Sequence, residues 1–351
     1  MNIQLMKNDS NQRLFSGKAA LWATAGLGAY AAARHFYREM IKFDFQDKVV
    51  IITGGARGLG LLLARELAAK GANLVICSRN GEQIQAAEEE LRRIGSIVLG
   101  LKADVSDPRD ANRVVEAAIS QFGKIDLLIN NAGVMLVGPE NVMDVEDYKA
   151  AMDSNFWAAL YMVKAVLPHF HQQGAGRIAN VCSIGGKISV PHLLPYSVSK
   201  FAMVAFSEGL HAELKKDNIH VTTVIPNLMR TGSPRNVSLK GDHQAEYAWF
   251  KVAGSSPLLS QDASSAATQI VNAIAYRETE VVLTNTAKFA VAMQGASPAL
   301  VSFAMSIANR FLPRSGPEGA VIKKGYESES EKSVGPVASK SDRAALENNE
   351  I

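Results

Sequence analysis

Cysteine is almost missing from this chain, with two in 351 residues. Cys77 and Cys182 each stand in an apolar run, Asn73-Leu74-Val75-Ile76-Cys77 and Ile178-Ala179-Asn180-Val181-Cys182, and are expected in the core. So few cysteines exclude a disulfide framework and point to no metal site. A reducing compartment is consistent with them. An excess of either charge is also missing. The 37 basic residues face 34 acidic ones, a net charge of +3, which argues against a nucleic-acid partner. Apolar residues are not scarce: at 47% they suffice for a sizeable core.

An uninterrupted span-length apolar run is lacking near the N-terminus. Ala19–Ala33 holds fifteen uncharged residues, against the ~20 that cross a bilayer. Extension to Leu14 reaches that length only by including Lys18, which would have to snorkel. Three readings stand. A signal peptide would end near Ala31-Ala32-Ala33. A membrane anchor or interfacial helix over residues 14–33 is suggested by Trp22, Tyr30, Arg34, Arg38 and Lys42, and would place the catalytic domain in the cytoplasm. The third reading is an extra helix packed on the domain. Phe289–Ala308 is also uncharged, but Gln294, Gly295 and Pro298 interrupt it. A helical hairpin is expected there, covering the substrate cleft, packing on a second subunit or touching lipid. After Pro313 the chain turns polar, as in Glu327-Ser328-Glu329-Ser330-Glu331-Lys332, with too little apolar content to order itself. The expected organisation is an extension over 1–46, a catalytic domain over 47–285, an apolar helical segment over 286–313 and a disordered tail over 314–351.

Within 47–285, short apolar runs alternate with amphipathic stretches. Val49–Ile52, Asn73–Cys77, Ile97–Leu101, Leu127–Ile129, Ile178–Cys182, Val221–Ile225 and Val281–Leu283 read as buried strands. Leu61–Lys70 and Glu82–Ile94 have helical spacing. The alternation predicts an α/β fold: a doubly wound, Rossmann-like parallel sheet, with its ligand site at the carboxyl ends of the strands.

The motifs fall at those ends. Thr53-Gly54-Gly55-Ala56-Arg57-Gly58-Leu59-Gly60 joins the first strand to a helix, where glycines let the backbone approach a pyrophosphate. The second strand ends in Cys77-Ser78-Arg79, without the acidic residue that would bind ribose hydroxyls. Arg79 and Arg57 would instead meet a 2′-phosphate, which favours NADP(H) over NAD(H). Asn130-Asn131-Ala132-Gly133 follows a further strand, and Ser183 ends another. Tyr196 and Lys200 lie four positions apart, one turn on a helix. A neighbouring ammonium stabilises a phenolate and lowers its pKa, which makes a usable proton donor.

Taken in order, these motifs, the Asn at 155, Pro226 and Thr231 resemble the short-chain dehydrogenase/reductase family over residues 47 to 285. The resemblance implies a catalytic tetrad of Asn155, Ser183, Tyr196 and Lys200. Thr53, Gly54, Gly58, Leu59 and Gly60 would form the cofactor loop. Asp104 and Val105 would meet adenine, Asn131, Ala132 and Gly133 would lie near the adenosine ribose, and Pro226 and Thr231 would close over nicotinamide. Ser183 would bind the substrate oxygen, Tyr196 would exchange its proton, Lys200 would hold the ribose, and Asn155 would anchor a water. Asn227 stands where the family often has Gly, and a left-handed turn is expected there. A small-molecule substrate and homo-oligomeric assembly are implied as well. The loop between Thr231 and Leu259 carries Tyr247, Trp249 and Phe250, which would line an apolar pocket or form the buried face of a helix. The function expected is an NADP-dependent carbonyl reductase or alcohol dehydrogenase acting on a lipophilic substrate. A dehydratase or epimerase, or a non-catalytic dinucleotide-sensing scaffold, is the alternative.

Overall fold

The structure is a computed structural model that describes residues 22, 24–26, 28–34, 36–256, 260–333, 335 and 339–351. Its contacts separate two units, Met1–Phe43 and Asp44–Ile351. Much of the segment 14–33 lies outside the described residues. Those described from 22 to 41 are helical. Among the described residues no helix is long and apolar enough to cross a membrane.

The second unit is built on β1 (Val49–Thr53), β2 (Asn73–Ser78), β3 (Val98–Lys102), β4 (Leu127–Asn130), β5 (Leu136–Val137), β6 (Gly176–Val181), β7 (Ile219–Ile225), β8 (Leu228–Arg230), β9 (Ser238–Leu239), β10 (Ser260–Asp262), β11 (Glu280–Val282) and β12 (Lys323–Lys324). Seven of these form one sheet in the order β11-β7-β6-β4-β1-β2-β3, with every pairing parallel. This is the doubly wound α/β sheet. Strands β1, β4 and β6 are buried along their whole length, which is why β1 and β4 read as nearly continuous apolar runs, while β6 also buries Arg177 and Asn180. Chain order reverses beside β1, which pairs with β2 on one edge and β4 on the other. The crevice opens at that switch point, beyond the strands' carboxyl ends.

Local chemistry sets the helix boundaries. Asn80 caps the helix Gly81–Arg93 by accepting from Glu82 N and Gln83 N. Asp107 caps Pro108–Phe122, which starts on proline and ends at left-handed Gly123. Phe289–Ala308 divides between two helices, Asn285–Ala296 and Pro298–Asn309, and Pro298 opens the second. The stretch after Thr231 holds the helix His243–Ser255. Tyr247 and Phe250 are buried in it against Val137, Leu193, Tyr196 and Leu239.

The tail corrects an expectation. Residues 314–351 were expected to stay unordered, yet the described ones include β12, short 3-10 turns and the helix Ser339–Glu347. Ser341, Ala344, Ala345, Asn348 and Glu350 are buried. Order comes from polar partners on the rest of this unit, which low apolar content does not reveal. The tail and the apolar helices therefore belong with 44–285 rather than apart from it.

Candidate active site

The cofactor loop begins where β1 ends. Gly54 and Gly58 have φ of +64° and +55°, the left-handed region that glycine adopts without strain. Thr53 turns inward. Its hydroxyl accepts from Asn131 N and Ala132 N, both at 3.0 Å, and so joins the end of β4 to the loop. Asn131 Nδ2 donates to Thr53 O at 3.0 Å and Gly54 O at 3.2 Å. Asn131 thus holds the loop backbone in place. The following helix, Gly58–Ala68, has no acidic residue in its first turn and no side-chain N-cap. Its amino end is a natural anion site.

Every residue expected at the site except Thr53 lines one cavity of about 480 Å³. At one end stand Arg57, Arg79 and Lys324. Burial lowers the Arg57 pKa, with Glu350 opposing and Arg79 adding to the effect. Partial loss of water also lowers Lys324, which is otherwise exposed, and Arg79 and Arg57 add to the effect. The three cations act on one another, and each also faces a carboxylate: Glu350 for Arg57, Asp104 for Arg79 and Glu327 for Lys324. Asp104 accepts from Ser106 N at 3.1 Å and Ser106 Oγ at 2.7 Å, and its other oxygen lies 3.9 Å from Arg79 Nη1.

At the other end, Tyr196 and Lys200 share the helix Leu194–Leu214, and both are buried. Lys200 Nζ donates to Val181 O at 2.9 Å and lies 5.8 Å from the Tyr196 ring centroid. Ser183 sits at the end of β6, and its hydroxyl accepts from Gly185 N at 3.0 Å. Burial pushes the Tyr196 phenol up to about 12, and the nearby Ser183 hydroxyl opposes this. Lys200, lowered by its own burial, does not dominate the phenol here as its spacing led us to expect. Burial also pushes the Cys77 and Cys182 thiols up to about 12, which leaves them protonated core groups.

Asn155 lies in a π-helical turn, Asp153–Trp157, between two α-helices. The wider turn carries its amide to the end of β4. Oδ1 accepts from Val134 N at 2.9 Å, and Nδ2 donates to Val134 O at 3.0 Å and Ser199 Oγ at 2.9 Å. An added Cβ on Gly133 would stand 2.5 Å from Asn155 Oδ1, so glycine is needed there. Asn227 keeps a negative φ, so the expected left-handed turn is absent, and its side chain reaches Thr284 Oγ1 at 3.4 Å.

The site therefore joins a glycine-rich cradle with a cationic end to the half-buried Ser183 and the buried Tyr196 and Lys200, along the carboxyl edge of the sheet. The family profile described as short chain dehydrogenase matches residues 48–241, more than half of the sequence. The chain belongs to the short-chain dehydrogenases. An uncharacterized oxidoreductase, YxnA, of Bacillus subtilis (strain 168) is 36% identical over 192 residues, 54% of each protein. An 11-beta-hydroxysteroid dehydrogenase-like 3 of Arabidopsis thaliana is 32% identical over 261 residues, 74% of this chain and 80% of its own. The chain spans about half the length of the first curated relatives it matches. A crystal structure of a short chain dehydrogenase/reductase from Burkholderia phymatum in complex with NAD superposes with a TM-score of 0.66 at 25% identity, covering 74% of this chain and 96% of that one.

Two cavity residues of this short-chain dehydrogenase are not marked by any sequence motif. Lys324 arrives on β12, which pairs with β9. Glu350, next to last in the chain, stands before the cofactor loop. Both lie in a segment whose polar composition hides them. Of the three neighbouring aromatics, Trp249 and Phe250 line the cavity, and the Trp249 indole N–H donates to the buried Glu246 at 2.6 Å.

Proposed function

We propose that this short-chain dehydrogenase is an NADP-dependent oxidoreductase that interconverts a carbonyl and an alcohol on a lipophilic substrate. The observation that carries the reading is that Ser183, Tyr196 and Lys200 line the same cavity as Arg57, Arg79 and Lys324. The bare glycine loop and the cationic cluster fit a phosphorylated dinucleotide. Gly54, Gly58, Leu59 and Gly60 would face its pyrophosphate, and Asp104 and Val105 its adenine. When bound, the dinucleotide supplies the hydride chemistry at its nicotinamide ring.

The chain's own residues orient the substrate and move the proton. Ser183 and Tyr196 present two hydroxyls to one substrate oxygen. Burial keeps the proton on the Tyr196 phenol at neutral pH and disfavours its loss, so donation to that oxygen depends on positive charge beside the phenolate as it forms. Lys200, fixed to Val181 O, places a positive charge beside the phenol and favours the phenolate left by that transfer. Asn155 holds the end of β4 and, through Ser199, the helix that carries Tyr196. Met135, Val190, Leu228, Trp249 and Phe250 give the substrate end of the cavity an apolar wall. The 11-beta-hydroxysteroid dehydrogenase-like relative is in keeping with a bulky apolar substrate.

Purified protein mixed with NADPH and a panel of apolar ketones tests the reading through nicotinamide absorbance. Ketone-dependent loss of the NADPH signal, abolished in Tyr196→Phe, is the expected result. Dinucleotide binding without turnover across the panel would favour a sensing or scaffold role instead.

A further inference from the structure

The amino end of the helix Gly58–Ala68 is not left open to solvent. The tail closes on it. The helix Ser339–Glu347 ends with Asn348 N donating to Ala344 O and Glu350 N to Ala345 O at 2.9 Å, around a left-handed Asn349 with φ of 57°. This C-terminal turn folds the last residues back onto the cofactor loop. Asn348 O accepts from Gly58 N at 2.9 Å, and so takes the first free N–H of the helix. Asn349 Nδ2 donates to Ala56 O and Gln83 O, both at 2.9 Å, and Arg65 donates to Asn348 Oδ1 and Glu347 O.

Glu350 then reaches across the mouth of the cradle. Gly232 N donates to its Oε2 at 2.5 Å, Ser233 Oγ to its Oε1 at 3.2 Å, and Asn236 Nδ2 to its backbone oxygen at 3.1 Å. A Cβ built on Gly58 would stand 3.2 Å from Glu350 Oε1, so the carboxyl fills the space that glycine leaves clear. Ser341 also donates to Thr231 O at 2.8 Å, holding the segment expected over the nicotinamide. A pyrophosphate needs the same N–H groups and the same space.

We propose that residues 348–350 are a built-in competitor of the dinucleotide: the tail occupies the pyrophosphate cradle and must leave before the cofactor can bind. This rests on the dinucleotide reading above. A tail docked in nine molecules of ten weakens apparent affinity about tenfold, since only the open fraction binds. Three facts support an exchange over a permanent wall. Glu350 is buried with its pKa raised to about 7, chiefly by loss of water, so docking is costly for the charged carboxylate. Its contacts are polar and can be replaced by those of a phosphate. The tail's last residues make up one short turn that can lift without unfolding the sheet.

The test compares the full chain with a chain ending at Glu347 and with Glu350→Ala, by titrating NADPH and following its fluorescence. Both variants should bind NADPH about tenfold more tightly or better. Unchanged or weaker binding in both would overturn the proposal, because the tail would then be neutral or part of the cofactor site. Failure of all three proteins to bind any dinucleotide would refute the functional reading itself, a distinct result. Hydrogen exchange on the full chain gives a second readout. Saturating NADPH should speed exchange of the Asn348 and Glu350 amides, and continued protection of both with NADPH bound would refute displacement.

Discussion

Cofactor choice can be worked through from the three cations. Arg57 is half-buried and hydrogen-bonds Asn236 Oδ1 at 2.9 Å, so its guanidinium is already positioned. A charge-assisted bond from a partly desolvated arginine to a phosphate contributes about 1.5 kcal/mol, the lower end for charged hydrogen bonds. Arg79 has a side chain 63% exposed, and Lys324 is also exposed. Screening leaves each about 0.7 kcal/mol, within the range of surface ion pairs. Together they total roughly 3 kcal/mol, a preference for NADPH over NADH of about a hundredfold at low salt. Removing Arg57 with Arg57→Ala should reduce that preference about tenfold, and Arg79→Ala about threefold, by the same conversion. The triple alanine variant should bind the two dinucleotides within a few-fold of each other. The assay is fluorescence titration of NADPH and NADH against each variant at 50 and 300 mM salt, with the preference shrinking at the higher salt. Equal binding by the unmodified chain, or a preference that survives the triple substitution, would refute the assignment of these cations to a 2′-phosphate.

Other outcomes follow from the same geometry. Tyr196→Phe should lower kcat by about a thousandfold, within the range for a lost general acid, while the NADPH dissociation constant moves less than threefold. A large loss of binding instead would give Tyr196 a structural role. Asn155→Ala removes three buried hydrogen bonds and leaves Val134 N–H without a partner, so urea unfolding should show a loss of about 2–4 kcal/mol. An unchanged midpoint would mean that the π-helical turn is held by other contacts. Glu350 gives a pH signature. The charged group that acts on it is Arg57 on the loop, which itself feels Arg79 after β2 and acts on Lys324 on β12, while Arg65, paired with Glu90, holds the residues before it. Its docked pKa of about 7 lies above its ordinary value of 4.5, so its stabilisation of the docked tail is complete below 4.5 and is lost as pH rises through 7. NADPH affinity of the full chain should therefore rise about tenfold between pH 6 and 8. Glu350→Gln, neutral throughout, should lack that rise. A rise of equal size in this variant would assign it to another group.

The sheet could be read from the sequence because its strands are buried on both faces. Val49–Ile52 and Leu127–Ile129 are unbroken apolar runs, and the observed strands differ from them by one residue at an end. Residues with chemistry at strand ends were found for the same reason: the motif and the strand mark each other. Two kinds of information were hidden. Thr53, Asn131 and Asn155 were legible as site residues, but their hydrogen bonds hold backbone across 78, 77 and 21 positions of sequence, which no local pattern encodes. The order of the tail does not show in its apolar content. The residues after its helix are held by polar partners such as Arg65, Gln83 and Gly232, which belong to other parts of the chain. The phenol's state was missed for a similar reason. Spacing locates Lys200 near Tyr196, but only the structure shows how thoroughly both are removed from water.

The strand order has a consequence for how the protein is made. The chain lays down the interior strand β1 first, adds β2 and β3 on one side, and returns to the other edge of β1 only with β4. Until Leu127 emerges from the ribosome, Val50, Ile51 and Ile52 lack the neighbour that covers their edge in the finished sheet. A nascent three-stranded species would carry that open edge, the feature that makes folding intermediates prone to aggregate.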